Sequence, residues 1–172
     1  MAWTTPKTFS VGAGLTASEL NTHVRDNLNA LKAPPTALIN VNEAADYTTT
    51  SASFVDVDAV DLALSITTTG GDVLIGFTGV ITHSAAAKLV YLDVHESVGN
   101  ARLGGDDGIV FVRSTAINDA FNASFLFLAR NLAAGAHVFK LQWKTTSATA
   151  LMYAGAATSG ADIHPQFFVR EV

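Results

Sequence analysis

The 172-residue chain has no cysteine. That excludes a disulfide framework, a thiol nucleophile and thiolate metal sites, and it leaves the compartment open. Charge is scarce at 15% of residues, and cations are scarcer than anions: ten Lys and Arg against fifteen Asp and Glu give a net charge of −5 and a pI near 5.4. A phosphate-reading surface needs a basic stripe that displaces counterions, and these ten cations are scattered, so no nucleic-acid partner is expected. No apolar run reaches the ~18 residues of a membrane span. Residues 2–10 are mostly polar, unlike the basic-then-apolar start of a secretory signal. Synthesis in the cytoplasm, followed by a soluble or assembled state without membrane insertion, is the expectation. No P-loop, Gly-x-Ser-x-Gly elbow or His-Glu-x-x-His pattern occurs. Gly12-Ala13-Gly14-Leu15-Thr16-Ala17 imitates a dinucleotide fingerprint, but no strand–helix–strand unit encloses it. Neither an enzymatic activity nor a cofactor is expected.

Hydrophobic residues, in contrast, make up 49% of the chain. At this length that suffices for one substantial core, or one domain plus an arm. Residues 3–32 stand apart from the rest. An aromatic and proline-bearing lead from Trp3 to Phe9 is followed by a glycine hinge at Gly12 and Gly14 and then by a helical pattern. Thr16 and Glu19 have capping-box spacing, in which hydroxyl and carboxylate each take a free backbone N–H. Leu20, Val24, Leu28 and Leu31 recur every three or four residues and so line one helical face. Pro34 and Pro35 stop the helix, since proline lacks the N–H and restricts the preceding Ala33. An isolated helix this short is marginal in water. Burying the four apolar side chains against a partner is worth about 1.5–3 kcal/mol each, which is enough to fix it. Leu20 and Asn27 at d, with Val24 and Leu31 at a, give less than two heptads, in which a buried Asn27 would specify register. The helix lying across its own sandwich is the alternative to a partner.

The run Trp3-Thr4-Thr5-Pro6-Lys7-Thr8-Phe9, the glycine spacer, and Leu15-Thr16-Ala17-Ser18-Glu19-Leu20-Asn21-Thr22-His23-Val24-Arg25-Asp26-Asn27-Leu28-Asn29-Ala30-Leu31-Lys32 together resemble the N-terminal module of bacteriophage and prophage virion proteins, where it precedes varied β domains. The resemblance covers about a fifth of the chain. It implies a virion component and no particular reaction. Under it, Trp3, Phe9, Leu20, Val24, Asn27, Leu28 and Leu31 are the candidate attachment or assembly residues.

After Pro35 the period becomes strand-like. Leu38–Val41, Phe54–Val57, Leu62–Thr67, Val73–Thr82, Lys88–His95, Ile109–Arg113, Ser124–Ala129, His137–Lys144, Ala150–Tyr153 and Gln166–Arg170 are the candidates, about ten in all. Thr48–Ser53 reads as a spacer, Gly70-Gly71-Asp72 as a turn, and residues 102–108 as a loop. Val73, Ile75, Phe77 and Ile81 share one face, with Gly76 and Gly79 permitting a bulge or close packing. Val90, Leu92 and Val94 face the core, opposite Leu89, Tyr91, Asp93 and His95. Strands at 8–12-residue spacing without helices between them predict an antiparallel sandwich or barrel. The fold expected is mainly β: an antiparallel jelly-roll sandwich over residues 36–172, preceded by an anchoring arm and one α-helix over residues 1–35. Residues 132–144, where a glycine turn at Gly135 leads into the alternation Phe139, Leu141, Trp143, resemble the late strands of small phage and C1q/TNF-like jelly rolls, with the terminal Phe167, Phe168, Val169 and Arg170 as the next strand. That resemblance implies a threefold homotrimer, which the small residues at 85–87 and 154–157 would permit.

Other constellations have ordinary explanations. His23, His83, His95, His137 and His164 lack paired spacing for zinc. Asp56, Asp58 and Asp61 attract attention as calcium ligands, but their spacing departs from an EF-hand loop, and Asp56 and Asp58 alternate with Val55 and Val57 as a solvated strand face does. Asp106 and Asp107 suit glycine-rich turns. Asp93 and Glu96 are acids of the kind a glycosidase pairs across a cleft, a geometry that only a structure can show. Asn122-Ala123-Ser124 is a glycosylation sequon without a secretory context. The function expected is therefore a non-enzymatic virion structural protein, bound to other capsid or tail proteins through its arm. Capsid decoration or a head fibre comes first. A short tail fibre or tail-tip protein binding a host glycan or protein is the alternative, and a free carbohydrate-binding lectin-like domain the second.

Overall fold

Alternating apolar residues after Pro35 become strands because a period of two puts one set of side chains on one sheet face, where they are removed from water. The structure, a computed structural model, describes residues 4–157 and 159–172. Among these residues the strands are β1 (Thr36–Asn40), β2 (Tyr47–Thr49), β3 (Val55–Asp56), β4 (Ala63–Thr68), β5 (Gly71–His83), β6 (Leu89–Glu96), β7 (Ala101–Arg102), β8 (Val110–Arg113), β9 (Phe121–Leu132), β10 (Gly135–Thr145), β11 (Ala150–Met152) and β12 (Gln166–Glu171). Every pairing between them is antiparallel.

The first sheet is built on β5. β12 pairs with Val73–Thr78 and β11 with Ile81–His83 along one side of it, while β9 runs along the other; β1 and β2 lie outside β12 and β11. The second sheet is built on β10, with β4 and β3 on one side and β6 on the other, and β7 and β8 outside β6. Successive segments pass back and forth between the two sheets, which makes the body an antiparallel jelly-roll sandwich. The core lies between the sheets. Phe139, Leu141 and Trp143 of β10 and Val90, Leu92 and Val94 of β6 meet Val73, Ile75, Phe77 and Ile81 of β5 and Phe167 and Val169 of β12, all buried. On β5, β6 and β10 these are the faces the alternation predicted.

Four details differ from the sequence expectation, the first being β7, which takes Arg102 out of the expected loop by pairing with His95 of β6. Tyr47–Thr49 forms β2 in what was expected to be spacer, because it pairs with β11 at the end of the first sheet rather than by any periodicity of its own. The strand expected over residues 54–57 shrinks to Val55–Asp56, and Phe54 leaves it to pack against Gly108. The bulge falls between Gly71 and Val73, whereas Gly76 and Gly79 serve close packing: a Cβ on Gly76 would lie 2.1 Å from the Phe168 ring.

The N-terminal helix occupies residues 17–32. It begins and ends as α-helix, Ala17–Leu20 and Asn27–Lys32, but its middle, Asn21–Asp26, is π-helical. The single α-helix expected from the spacing thus contains a wider central turn, of the kind that often marks functional positions. Ala33 leaves helical geometry immediately before the two prolines, as expected. No helix among the described residues is long and apolar enough to cross a membrane.

Candidate functional site

The arm folds back on its own helix. Glu19 N–H donates to Thr16 Oγ1 at 3.2 Å and Thr16 N–H donates to Glu19 Oε2 at 2.9 Å, completing the capping box. Lys7 joins Glu19 in an ion pair across the glycine hinge. That bond, and then the Thr16 N–H, hold the Glu19 carboxyl down at about 2. Closer to the prolines, Asn27 grips the lead: Thr4 N–H donates to its Oδ1 at 2.8 Å, and its Nδ2 donates to the Thr4 carbonyl at 2.7 Å and to the His23 carbonyl at 3.3 Å. The amide of Asn27 thus copies the two bonds of an antiparallel backbone pair. An Asn27→Ala variant should keep the helix and release the lead, seen as faster hydrogen exchange at the Thr4 amide with no change at β10.

The candidate attachment residues separate into three groups. Leu20, Val24, Leu28 and Leu31 form the expected stripe, and they stand 44%, 45%, 60% and 65% exposed, so the body of the same chain does not cover them. The alternative in which the helix lies across its own sandwich is not what the structure contains. Phe9 is also exposed, with Lys7 Nζ 5.9 Å from its ring centre. Asn27 does not share the stripe, being buried under the lead with its amide already bonded. Trp3 lies outside the described residues. At the foot of the helix, Leu31, Pro34, Pro35, Arg170 and Val172 line a hollow of about 440 Å³ where the arm meets the first sheet.

The acidic candidates are engaged in the fold. Burial would raise Asp56, but Gln142 Nε2 at 2.7 Å and Lys140 Nζ at 3.0 Å hold it below the usual carboxylate value. Asp58 accepts from the N–H groups of Val60 and Asp61, both at 2.7 Å, as a turn-forming Asp does. Repulsion from Asp61, with burial and then Asp58 contributing, pushes the Glu43 carboxyl up. Among the described residues, no three His, Asp or Glu side chains are placed to hold a metal ion.

Asp93 and Glu96, three positions apart on β6, fall on opposite faces and cannot act as a pair. Glu96 points inward to His137, a buried contact between residues 41 apart that periodicity cannot reveal. Asp93 points outward yet is sealed beneath residues 102–108. Its Oδ1 takes N–H groups from Val94 at 2.7 Å and Gly104 at 2.8 Å, while its Oδ2 has no hydrogen-bond partner and lies 3.6 Å from Arg102 Nε. Burial pushes its carboxyl up. Above it, Arg102 and Lys144 each stand 4.8 Å from the Phe54 ring centre, and Lys144 bonds the Asp106 carbonyl at 2.6 Å. This cluster closes a loop and leaves no open cleft between acids.

The sequence matches no family model and no curated protein. Several solved structures resemble the fold. An Eiger TNF from S. frugiperda aligns over 81% of this chain and 94% of its own at 12% identity and a TM-score of 0.46. The infectious bursal disease virus Gx strain aligns over 79% of this chain at 12% identity and a TM-score of 0.44; the match spans 36%, about a third, of that longer viral chain. A pentameric capsid protein isolated from metagenomic phage sequences aligns over 96% of this chain and 80% of its own at 14% identity and a TM-score of 0.30. The chain is thus similar, in fold alone and distantly, to viral capsid and TNF-like proteins, and its assignment as a jelly-roll sandwich rests on its own strand order.

Proposed function

We propose that the chain is a non-enzymatic structural protein of a phage virion, with residues 1–35 as an anchoring arm and residues 36–172 as the displayed β domain. The observation that carries this proposal is the arm itself. A helix with a complete capping box, a bonded lead and a proline stop is ordered at some conformational cost, and its four apolar side chains nevertheless face solvent. Covering them on another virion protein would gain several kcal/mol at about 25 cal/mol per Å². The sequence resemblance of residues 3–32 to the virion module supplies the kind of partner. Decoration of a capsid, or a head fibre, suits a body formed by one compact sandwich. A tail-tip receptor binder is the second reading, favoured by the pairing of a module with a separate β domain. Homotrimerisation belongs to the same proposal.

Quantitative mass spectrometry of purified particles tests it. Hundreds of copies per particle are expected for decoration and a handful for a tail position; absence from particles overturns the proposal. Within the arm, the double substitution Leu28→Lys and Leu31→Lys should reduce particle-bound protein at least tenfold while leaving the thermal melt of the body in place. Unchanged attachment would remove the arm from this role.

A further inference from the structure

The two outer faces of the sandwich differ in kind. The second sheet turns Tyr91, His95, Lys140, Gln142 and Lys144 outward, a surface that is polar and charged apart from the exposed Phe111 beside Tyr91. On the first sheet, register places Leu38, Phe168, Gly76 and Leu126 side by side across β1, β12, β5 and β9. The adjoining row is Thr36, Arg170, Leu74 and Leu128, and the row on the other side, Asn40 to Ser124, is polar but uncharged. Arg170 is thus the lone charge in these three rows. Leu38 is 57% exposed and Leu126 70%. Gly76 lets the Phe168 ring lie against the sheet, which levels the face.

The free side of β9 sharpens the contrast. β9 pairs with β5, and among the described residues no further strand continues the sheet beyond it. It runs for 12 residues, is apolar on both faces through Phe125, Leu126, Phe127 and Leu128, and carries a single charge, Arg130. Edge strands that stay in water are normally short, charged or bulged, because a long apolar edge is a template for association. The sequence held this signal: two consecutive Phe-Leu pairs have apolar residues in both parities of a strand, which a half-solvated sheet does not require.

We infer that the outer face of the first sheet, from Leu38 to the β9 edge, is the contact surface between copies of this chain. The inference rests on the proposed self-association and names its surface, separate from the arm stripe. Charge and area favour a second copy as the occupant. Residues 36–172 hold thirteen Asp and Glu against seven Lys and Arg, so like bodies repel except where they meet through neutral surface. A different partner would be selected by charge pattern, and these rows offer almost none. Four strands about 4.8 Å apart, over six to ten residues at about 3.3 Å each, project to roughly 500 Å². Side-chain relief brings that towards the ~800 Å² per partner of a stable interface, and permanent interfaces are the apolar ones.

Light scattering on the full-length protein is the test, with Leu126→Lys and Leu38→Lys on the face, Leu28→Lys with Leu31→Lys on the arm, and Arg113→Glu on the opposite sheet. The wild type, the arm variant and Arg113→Glu should give the same multiple of 18.0 kDa. Each face variant should fall to 18.0 kDa with an unchanged far-UV spectrum. Face variants that keep the wild-type mass while the arm variant becomes monomeric would overturn this surface and leave self-association standing. A monomeric wild type would overturn both. As a measurement that needs no disruption, a spin-labelled cysteine at Leu126, introduced into this cysteine-free chain, should show dipolar broadening between copies, and one at Arg113 should not. The reverse pattern would also overturn the inference.

Discussion

Replacing His137 with alanine should cost about 3–5 kcal/mol of stability, because it removes one member of a buried charged pair and leaves the other in place. His137 is 1% exposed, and both of its ring nitrogens meet acceptors: Nδ1 donates to Glu96 Oε1 at 2.9 Å and Nε2 to the Ala133 carbonyl at 2.8 Å. Two acceptors require two protons, so the ring is an imidazolium. Glu96 in turn accepts from Val98 N–H at 2.7 Å and Gly99 N–H at 2.6 Å. The pair therefore ties the turn after β6 to the turn before β10, and Thr68 Oγ1 adds a bond to the same Ala133 carbonyl at 2.7 Å. Urea denaturation checks the prediction, and a loss below about 1 kcal/mol, the size of an ordinary neutral hydrogen bond, would refute it.

The same pair gives a pH signature. Burial by itself would lower His137, but the Glu96 carboxylate and the Ala133 carbonyl, with Glu171 nearby, raise it above its ordinary 6.5. The folded state then holds a proton that the unfolded state releases, so this contribution is complete below about pH 6.5 and is lost as pH rises through the raised value. Burial would raise Glu96, yet the Gly99 and Val98 N–H groups and His137 hold it below its ordinary 4.5. Its contribution is complete above about pH 4.5 and is lost as pH falls through the lowered value. The pair thus stabilises most between those two limits. In His137→Gln, which still offers an N–H and does not titrate, the decline on the alkaline side should flatten while the acidic decline remains.

What was legible in the sequence was whatever repeats within one element. The capping box, the proline stop and the inward faces of β5, β6 and β10 follow from spacings of two to four residues, and the structure has them. What depends on register between strands was hidden. The row from Leu38 to Leu126 draws one residue from each of four strands, and β2 exists only because β11 passes beside it. The Asn27–Thr4 clamp spans 23 residues and the His137–Glu96 pair 41, with no pattern linking the partners. Asn27 shows how this misleads. Its helical position fits an intermolecular seam, while its amide is consumed by its own arm. Composition read the outer faces only in aggregate, since 15% charge does not say that three adjoining rows of one sheet hold a single charge, Arg170.

Gly108→Val should be comparably damaging, for reasons of backbone rather than charge. Gly108 has φ +73° and ψ −173°, a conformation reserved almost wholly for glycine, and a β-branched residue there incurs about 1–3 kcal/mol of strain. Its Cβ would also lie 2.5 Å from the Leu92 carbonyl oxygen, which already accepts the Ile109 N–H at 2.8 Å, and 3.0 Å from the Phe54 ring. Overpacking of that kind adds about 1–3 kcal/mol. Gly104 cannot give way, because its own hydrogen faces the Gly108 and Ile109 backbone at distances where a Cβ would be only 2.3–2.4 Å away. The loop must therefore lift from β6, and Asp93 lies directly beneath it. Opening the loop removes the Gly104 N–H from Asp93 but also hydrates the unpartnered Oδ2, and burial is the larger influence on this carboxyl. Its pKa should accordingly fall towards its ordinary 3.8 in the variant. That shift relieves part of the loss at neutral pH, since a raised folded carboxyl costs stability once the pH exceeds its ordinary value. Denaturant titration should give a net loss of about 2–5 kcal/mol, and carbon NMR of the Asp93 carboxyl should report the downward shift. A stable variant with an unmoved Asp93 would mean that the loop does not seal this acid.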